Sequence, residues 1–425
     1  MTVLERRPEA GCGCCASAEH PALLSIDAAL AVIQDSGAPV AGTERVALRE
    51  ANGRILAAPV FARAAMPPFD NAAMDGYAVA TGTLAGEGPW WIDVAGRTAA
   101  GAPPGALGAA AAAVRIFTGA PLPQGADAVV MQEEVHAAGG RILLRRRPLP
   151  GENIRRAGED MAAGHPVLSA GQPLGAREIA ACAASGHAAV DVRRRLRVAL
   201  VATGSEIAAA GDALDAARIW DVNTPMLEAA LSGPAVDLVS VVRCGDSHDD
   251  IGRALADAAR KADLVVTSGG ISVGEEDHVK PAFIHLGGEV LFSGVAVKPG
   301  KPVSFGRLGS AFWLGLPGNP LSAYLTWTLF GTALLRAMTG GTCVTRRRHV
   351  VLARPLRRNV GRCELRPARL IGFDAQGREV ALAEAAVHSA RIARLHAADG
   401  ILLVPAEVDR LPEGALVEFI PFQTC

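Results

Sequence analysis

The sequence predicts a multidomain protein of mixed class. A central α/β domain, with a mostly parallel sheet and helices on both faces, is flanked by a β-rich second domain and a C-terminal β domain, and a discontinuous N-terminal domain precedes them. Three observations carry this. The chain has 425 residues, and roughly 100–200 residues per domain gives about two to four domains. Between residues 193 and 340 apolar runs alternate with helical stretches, the pattern of a parallel sheet covered on both sides. Before and after that region, short apolar runs broken by Gly and Pro turns read as strands.

Taken in order, residues 1–21 are expected to form a mobile tail. Cys12, Cys14, Cys15 and His20 lie in it, but a metal clasp needs a fourth ligand and a second pair at suitable spacing. Residues 22–64 open with a helical pattern over 25–34 (SIDAALAVIQ), which Ser25 is placed to cap. Residues 65–150 carry strand-like runs (WWIDVAG, VRIF, DAVVMQEEV, RILLRRR), and GAPPGALGAAAAAVR reads as a loop because of its Gly and Pro content. Within 151–192 a helix over 176–184 stops near Gly186. Packed beside the first helix, it would unite 22–64 and 151–192 in one discontinuous domain. Residues 193–342 give the strands LRVALVAT, DLVSVVR, DLVVTS and FWLGLP, with helices near 224–231, 249–261, 278–285 and 320–338. Residues 343–425 (VVLARPL, GREVALAE, GILLVPAE, LPEGALVEFIP) read as a small β domain.

Composition narrows the function. Half the residues are apolar, a fifth are charged, and the net charge is −1, a globular balance that offers nucleic acid no basic surface. Aromatic residues make up 4%, too few for base-stacking platforms along a strand. No secretory signal and no run of about 18 uncharged apolar residues is visible, so a cytoplasmic protein without a membrane span is expected. The eight cysteines are not spaced like a disulfide scaffold. Of 42 basic residues only four are lysines, Lys261, Lys280, Lys298 and Lys301, leaving 42 − 4 = 38 arginines. Chance together with a codon bias toward arginine is one reading of this pattern. The clustering fits a local need for a compact ammonium charge that a guanidinium does not replace.

In an open parallel sheet, ligands sit beyond the carboxyl ends of the strands, and four motifs are placed for this. In DLVVTSGGISVGEEDHVK, Ser268, Gly269, Gly270, Ser272 and Gly274 follow a buried strand, and glycines there let backbone N–H groups approach an anion. Glu275, Glu276 and Asp277 come next. They fit a metal or phosphate role, and equally the dipole of the helix that follows. In VKPGKPVS, Lys298 and Lys301 flank Pro-Gly, as an oxyanion site or a solvated charged turn. In GLPGNPLSA, Asn319 is a natural N-cap and Pro320 sits at N1, which exposes backbone donors. In MPPFDNAAMDGYA, Asp70, Asn71 and Asp75 share a rigid polar loop that does not match the spacing of an EF-hand.

Together with RIFTGAPLPQGADAVV over 115–130, these motifs occur in the order seen in the molybdopterin molybdenumtransferases, the MoeA and gephyrin E-domain family, and residues 22 to 425 resemble it. The resemblance implies a four-domain homodimer with an elongated N-terminal domain. It implies an active site shared between the α/β domain of one subunit and the β-rich second domain of the other. It also implies the reaction: molybdenum from molybdate enters the dithiolene of adenylylated molybdopterin, AMP is released, and Mg2+ is required. The positions that match catalytic residues of the family are Asp75, Thr118, Glu206, Asp246, Asp277, Lys298 and Lys301, with Asp246 and Asp277 toward the metal. Ser268, Gly269, Gly270, Ser272, Gly274, Pro317, Asn319, Pro320 and Ser322 are expected to bind the pterin substrate. The partner implied upstream is a molybdopterin adenylyltransferase.

Two departures stand out. Many relatives carry a lysine where this chain has Gly294, and a serine-rich stretch where it keeps Ser389 but has Ala393 and Arg394, with Arg391 or Arg394 as substitute anion contacts. Two other functions share part of this pattern. A molybdopterin adenylyltransferase-like protein shares the TSGG loop but is normally one short domain. A non-catalytic molybdopterin-binding scaffold would not release AMP.

Overall fold

The structure is a computed structural model. It describes residues 23–108, 112–271, 277–343, 347–384, 389–390 and 392–422. The expected tail, with its three cysteines, lies outside the described residues.

The N-terminal part is elongated for a topological reason. Its two chain segments run antiparallel and meet in three short successive ladders: 43–47 with 189–193, 60–61 with 166–168, and 71–72 with 154–155. Helix α1 (Ile26–Ser36) is capped by Ser25, whose hydroxyl accepts from the Ala28 N–H. It does not join α2 (Ala176–Ala184) in one core as the sequence suggested. Its Ala29 and Ile33 enter the core of the central domain, whereas Cys182 of α2 packs with Ala51, Leu56 and Val190. The strand ladders, not a helix pair, hold the two segments together.

The second domain is a six-stranded sheet in the order 128–131, 76–79, 112–116, 90–98, 141–144, 135–138. The central domain holds β1 (Leu196–Thr203), β2 (Ile207–Ala208), β3 (Ile219–Trp220), α3 (Asn223–Ala230), β4 (Val236–Cys244), α4 (His248–Lys261), β5 (Leu264–Ser268) and α5 (Val279–His285). It continues through β6 (Glu289–Ser293), β7 (Val297–Lys298), β8 (Ser304–Leu308), β9 (Ala311–Leu316), α6 (Pro320–Thr326) and α7 (Thr332–Thr339). Its main sheet runs β4-β1-β5-β9-β8-β6. The first three pairings are parallel and the last two antiparallel.

The two-residue period of a strand explains the unbroken apolar runs. Leu196, Val198 and Leu200 of β1 face one core, with α3 and α1. Ala199 and Val201 face the other, with Ile251 and Leu255 of α4 and Phe283 of α5. The helix expected over 320–338 is interrupted by a π segment at Trp327–Gly331. The Thr326 and Thr328 hydroxyls donate back to carbonyls four residues earlier, which loosens the regular ladder.

The C-terminal domain closes on itself. Strands 363–373, 379–383, 348–352, 416–421 and 400–404 pair in sequence, and 400–404 returns to 363–373. The barrel also accepts β7 as an added parallel strand, with Lys298 opposite Glu364. Among the described residues, no helix is long and apolar enough to cross a membrane.

Candidate active site in the α/β cleft

Chain order reverses beside β1. β1 leads to β4 on one side, and the chain then crosses to β5 on the other. A crevice beyond the carboxyl ends of the strands follows from such a reversal, and a cavity of about 1240 Å³ lies there. Each strand end delivers a motif into it: Gly204–Glu206 after β1, Asp246 after β4, Gly269 and Gly270 after β5, and Pro317–Pro320 after β9.

These loops are tied to one another. Ser205 donates its backbone N–H to Asp246 Oδ2 at 2.7 Å, joining the loops after β1 and β4. Asn223, at the start of α3, donates through Nδ2 to Ser268 Oγ at 2.8 Å and to the Gly318 carbonyl at 2.6 Å, joining those after β5 and β9. Gly269 has φ +98°, and a Cβ there would lie 2.7 Å from both Thr203 O and Oγ1. Only glycine lets this loop pass so close under the end of β1. Thr203 and Asn223 line the cavity, and among the described residues their buried Oγ1 and Oδ1 have no hydrogen-bond partner. Buried polar atoms are normally paired, so this floor has acceptor capacity in reserve for a ligand. Cys244 lies beneath. Burial, then Asp246 and Asp250, push its thiol up to about 11, so it stays protonated near neutral pH and is a poor nucleophile.

The cavity also carries cations. Lys298, Lys301 and Arg362 line the same cavity. Lys298 is fixed by the pairing of β7 with the barrel, and Arg362 donates Nη1–H to the Val297 carbonyl at 3.2 Å. The cleft therefore sets three carboxylates, Glu206, Asp246 and Asp277, in one cavity with three cations, Lys298, Lys301 and Arg362. Such a site suits a substrate with several negative charges and a divalent cation between them. Among the described residues, no group of three or more His, Cys, Asp or Glu is arranged to hold a metal by itself. The donors fit an ion that keeps most of its waters, as Mg2+ does, better than an all-protein cage.

Most of the expected site residues come together here: Glu206, Asp246, Gly269, Gly270, Asp277, Lys298, Lys301, Pro317, Asn319, Pro320 and Ser322. Ser268 does not line the cavity and instead supports the floor through Asn223. Asn319 holds the N-cap position of α6 without a side-chain capping bond. Ser272 and Gly274 lie outside the described residues, as do Glu275 and Glu276. Asp75 and Thr118 do not line this cleft but form a unit in the second domain. Asp75 Oδ1 accepts from the Thr118 N–H and hydroxyl, both at 2.8 Å. Those bonds, the backbone one first, hold the Asp75 carboxyl below the usual carboxylate range. The Asp70, Asn71 and Asp75 loop is braced from the second N-terminal segment, since Asp70 pairs with Arg156 and accepts from Ala157 N–H.

Gly294 has φ +93°, and a Cβ there would sit 2.7 Å from Leu23 Cδ2; the turn it makes disfavours a lysine. Arg394 lies 3.9 Å from Glu384 and does not line the cavity, and Arg391 lies outside the described residues. The extra cation is Arg362. Sequence reading missed it, along with Asn223 and Trp220, because none of them sits in a motif with its own spacing signal.

Known proteins give the same picture. Residues 24–186 match the family model "MoeA N-terminal region (domain I and II)", residues 199–337 "Probable molybdopterin binding domain", and residues 349–422 "MoeA C-terminal region (domain IV)". The molybdopterin molybdenumtransferase of Haemophilus influenzae is 39% identical over 299 residues, which is 70% of this chain and 73% of that protein. Molybdopterin molybdenumtransferase 2 of Mycobacterium tuberculosis is 36% identical over 383 residues, 88% of this chain and 93% of that one. The crystal structure of the molybdopterin biosynthesis MoeA protein of Pyrococcus horikoshii superposes with a TM-score of 0.78 at 31% identity, covering 95% of this chain and all of that one. With all three regions matched in order and these identities over most of its length, the chain belongs to the MoeA family of molybdopterin molybdenumtransferases.

Proposed function

We propose that this protein inserts molybdenum from molybdate into the dithiolene of adenylylated molybdopterin and releases AMP. The observation that carries the reading is the pairing, in one cavity, of Glu206, Asp246 and Asp277 with Lys298, Lys301 and Arg362. Adenylylated molybdopterin carries a diphosphate link, and molybdate is a dianion. The two repel each other, so bringing them together needs cations fixed before they arrive. Lys298, Lys301 and Arg362 serve that purpose, and the backbone N–H groups after Ser268 cradle phosphate.

Asp246 and Asp277 would hold Mg2+, with Glu206 beside them. When bound, the ion would supply charge neutralisation at the phosphoanhydride and activation of water. Asp246 is kept in place by the Ser205 N–H. Asp75 and Thr118, absent from the cleft of their own chain, would approach it from the second subunit of a homodimer. A molybdopterin adenylyltransferase would supply the substrate in the cytoplasm. The test is AMP release from adenylylated molybdopterin by the purified protein. Release that needs both Mg2+ and molybdate supports the reading, and a folded protein that releases none under any of these conditions overturns it.

A further inference from the structure

The cleft contains a recognition element that the charge chemistry leaves unused. Trp220 lines the cavity and is 52% exposed, and it is the one aromatic side chain among the described lining residues. A single exposed apolar side chain needs no explanation, but one set in the wall of a polar cavity with Ile219 beside it fits a ligand-binding groove. The other exposed tryptophan, Trp91, carries the Arg141 guanidinium over its ring at 5.6 Å. Among the described residues, no ring or guanidinium stacks on Trp220.

Its position is nonetheless fixed. The Ile219 N–H donates to Glu206 O at 2.9 Å and the Asp221 N–H to Ala208 O at 2.8 Å, so the backbone is pinned on both sides of Trp220. The indole Nε1–H donates to the Asp212 carbonyl at 3.0 Å, which sets the plane of the ring. The next residue, Asp221, is buried. It pairs with Arg243 Nε at 2.6 Å and accepts from the Thr224 N–H in the first turn of α3. The result is a flat apolar surface, held rigid at the wall of a polar cleft. Ile219, also exposed and lining, extends it.

We propose that the Trp220 indole is the stacking platform for a planar nitrogen heterocycle of the substrate. The proposal rests on the reading that adenylylated molybdopterin enters this cleft, a molecule with two such rings, adenine and pterin. The cations of the cleft hold its phosphates, and Trp220 holds a ring and so sets which way round the substrate lies. Stacking on an aromatic side chain tolerates any flat π face, so the shared chemistry covers both rings.

The test is calorimetric titration of the full-length protein with AMP, with a free pterin and, as a ringless control, with inorganic pyrophosphate. Wild type, Trp220→Ala and Trp220→Phe are compared. Trp220→Ala is expected to weaken binding of a ring ligand by roughly 5–150-fold, with pyrophosphate binding unchanged and Trp220→Phe close to wild type. A loss for AMP alone assigns adenine to the platform, a loss for the pterin alone assigns the pterin, and either outcome supports the proposal. Three results overturn it: equal ring binding by wild type and Trp220→Ala, no binding of either ring by wild type, or a Trp220→Ala chain altered only in oligomeric state. A wild-type chain that binds a ring through Trp220 yet releases no AMP leaves the platform in place and removes the reaction, so the two failures are distinguishable.

Discussion

Glu364 couples the stability of the C-terminal barrel to the active site. Its carboxylate is buried and accepts from Arg366 Nε at 2.9 Å, with Arg358 Nε 3.7 Å away. Both guanidiniums are at least as buried as the carboxylate. They also donate to carbonyls, Arg366 to Glu384 and Arg357, and Arg358 to Val404, Pro405 and Asn359. Their hydrogen bonds to those carbonyls would survive the loss of Glu364, but both guanidiniums would lose the carboxylate they share. Removing one member of a buried pair costs about 3–5 kcal/mol. Divided by a urea m-value of about 1–3 kcal/mol/M, this is a fall in unfolding midpoint of roughly 1–5 M for the barrel in Glu364→Ala. Glu364→Gln, which keeps an acceptor, should lose less. Because Glu364 pairs through its backbone with Lys298, molybdenum insertion by the variant should fail at the lower urea concentration where the barrel opens. The measurement is urea unfolding followed by fluorescence, with activity read in parallel. A midpoint within about 0.3 M of wild type for Glu364→Ala, corresponding to under about 1 kcal/mol, would refute the buried-charge argument.

Lys298→Met should lower insertion by about 100-fold or more, the usual loss when a fixed electrostatic contact to developing charge is removed, with unfolding unchanged; wild-type activity would take Lys298 out of the mechanism. Asp75→Asn and Lys298→Met chains, each inactive alone, should regain about a quarter of wild-type activity when mixed, refolded and allowed to dimerise, since half the dimers are hybrids with one intact site; no recovery despite hybrid formation would place Asp75 and Lys298 in the same chain's site or outside it. Asp263 gives a pH test. Burial opposes its charge, but hydrogen bonds from Arg194 and Arg197 outweigh this and hold the carboxyl well below its ordinary value. A depressed acid stabilises the fold above its unfolded value of about 3.9 and loses that effect as pH falls toward its folded value. The stability gap between wild type and Asp263→Asn, read from urea midpoints, should therefore be flat from pH 5 to 8 and shrink below about pH 4; a gap that widens in acid would contradict the assignment.

How far the sequence could be read depended on how local each feature was. Strands β1, β5 and β9 were legible because burial on both faces makes them nearly continuous apolar runs, and the edge strand β4 because Val and Leu dominate it despite Asp237, Ser240 and Arg243. β6 (EVLFS) and β8 (SFGRL) were not, because they lie at the antiparallel end of the sheet and mix polar with apolar residues. The loops after β5 and β9 were legible because their glycines and prolines answer a local backbone requirement, such as the close passage of Gly269 under Thr203, whereas Glu206 after β1 was marked only by the family resemblance. Arg362 and Asn223 were invisible, since what matters in each is a contact made far along the chain, to Val297 and to Ser268 and Gly318. Thr118 and Asp75 were each recognised through their motifs, but the two hydrogen bonds that join them across 43 residues belong to the fold. The helix pair expected to unite the N-terminal segments failed for a similar reason. The apolar face of α1 is equally suited to another partner, and the central core supplies one.

The most direct measurement is of the product. Purified protein is given adenylylated molybdopterin, molybdate and Mg2+, and the molybdenum bound to the released pterin is counted against the AMP formed. The account requires one molybdenum per AMP, with both falling together when Mg2+ is chelated. AMP formed without molybdenum entering the pterin would contradict it, leaving a hydrolase acting in the same cleft.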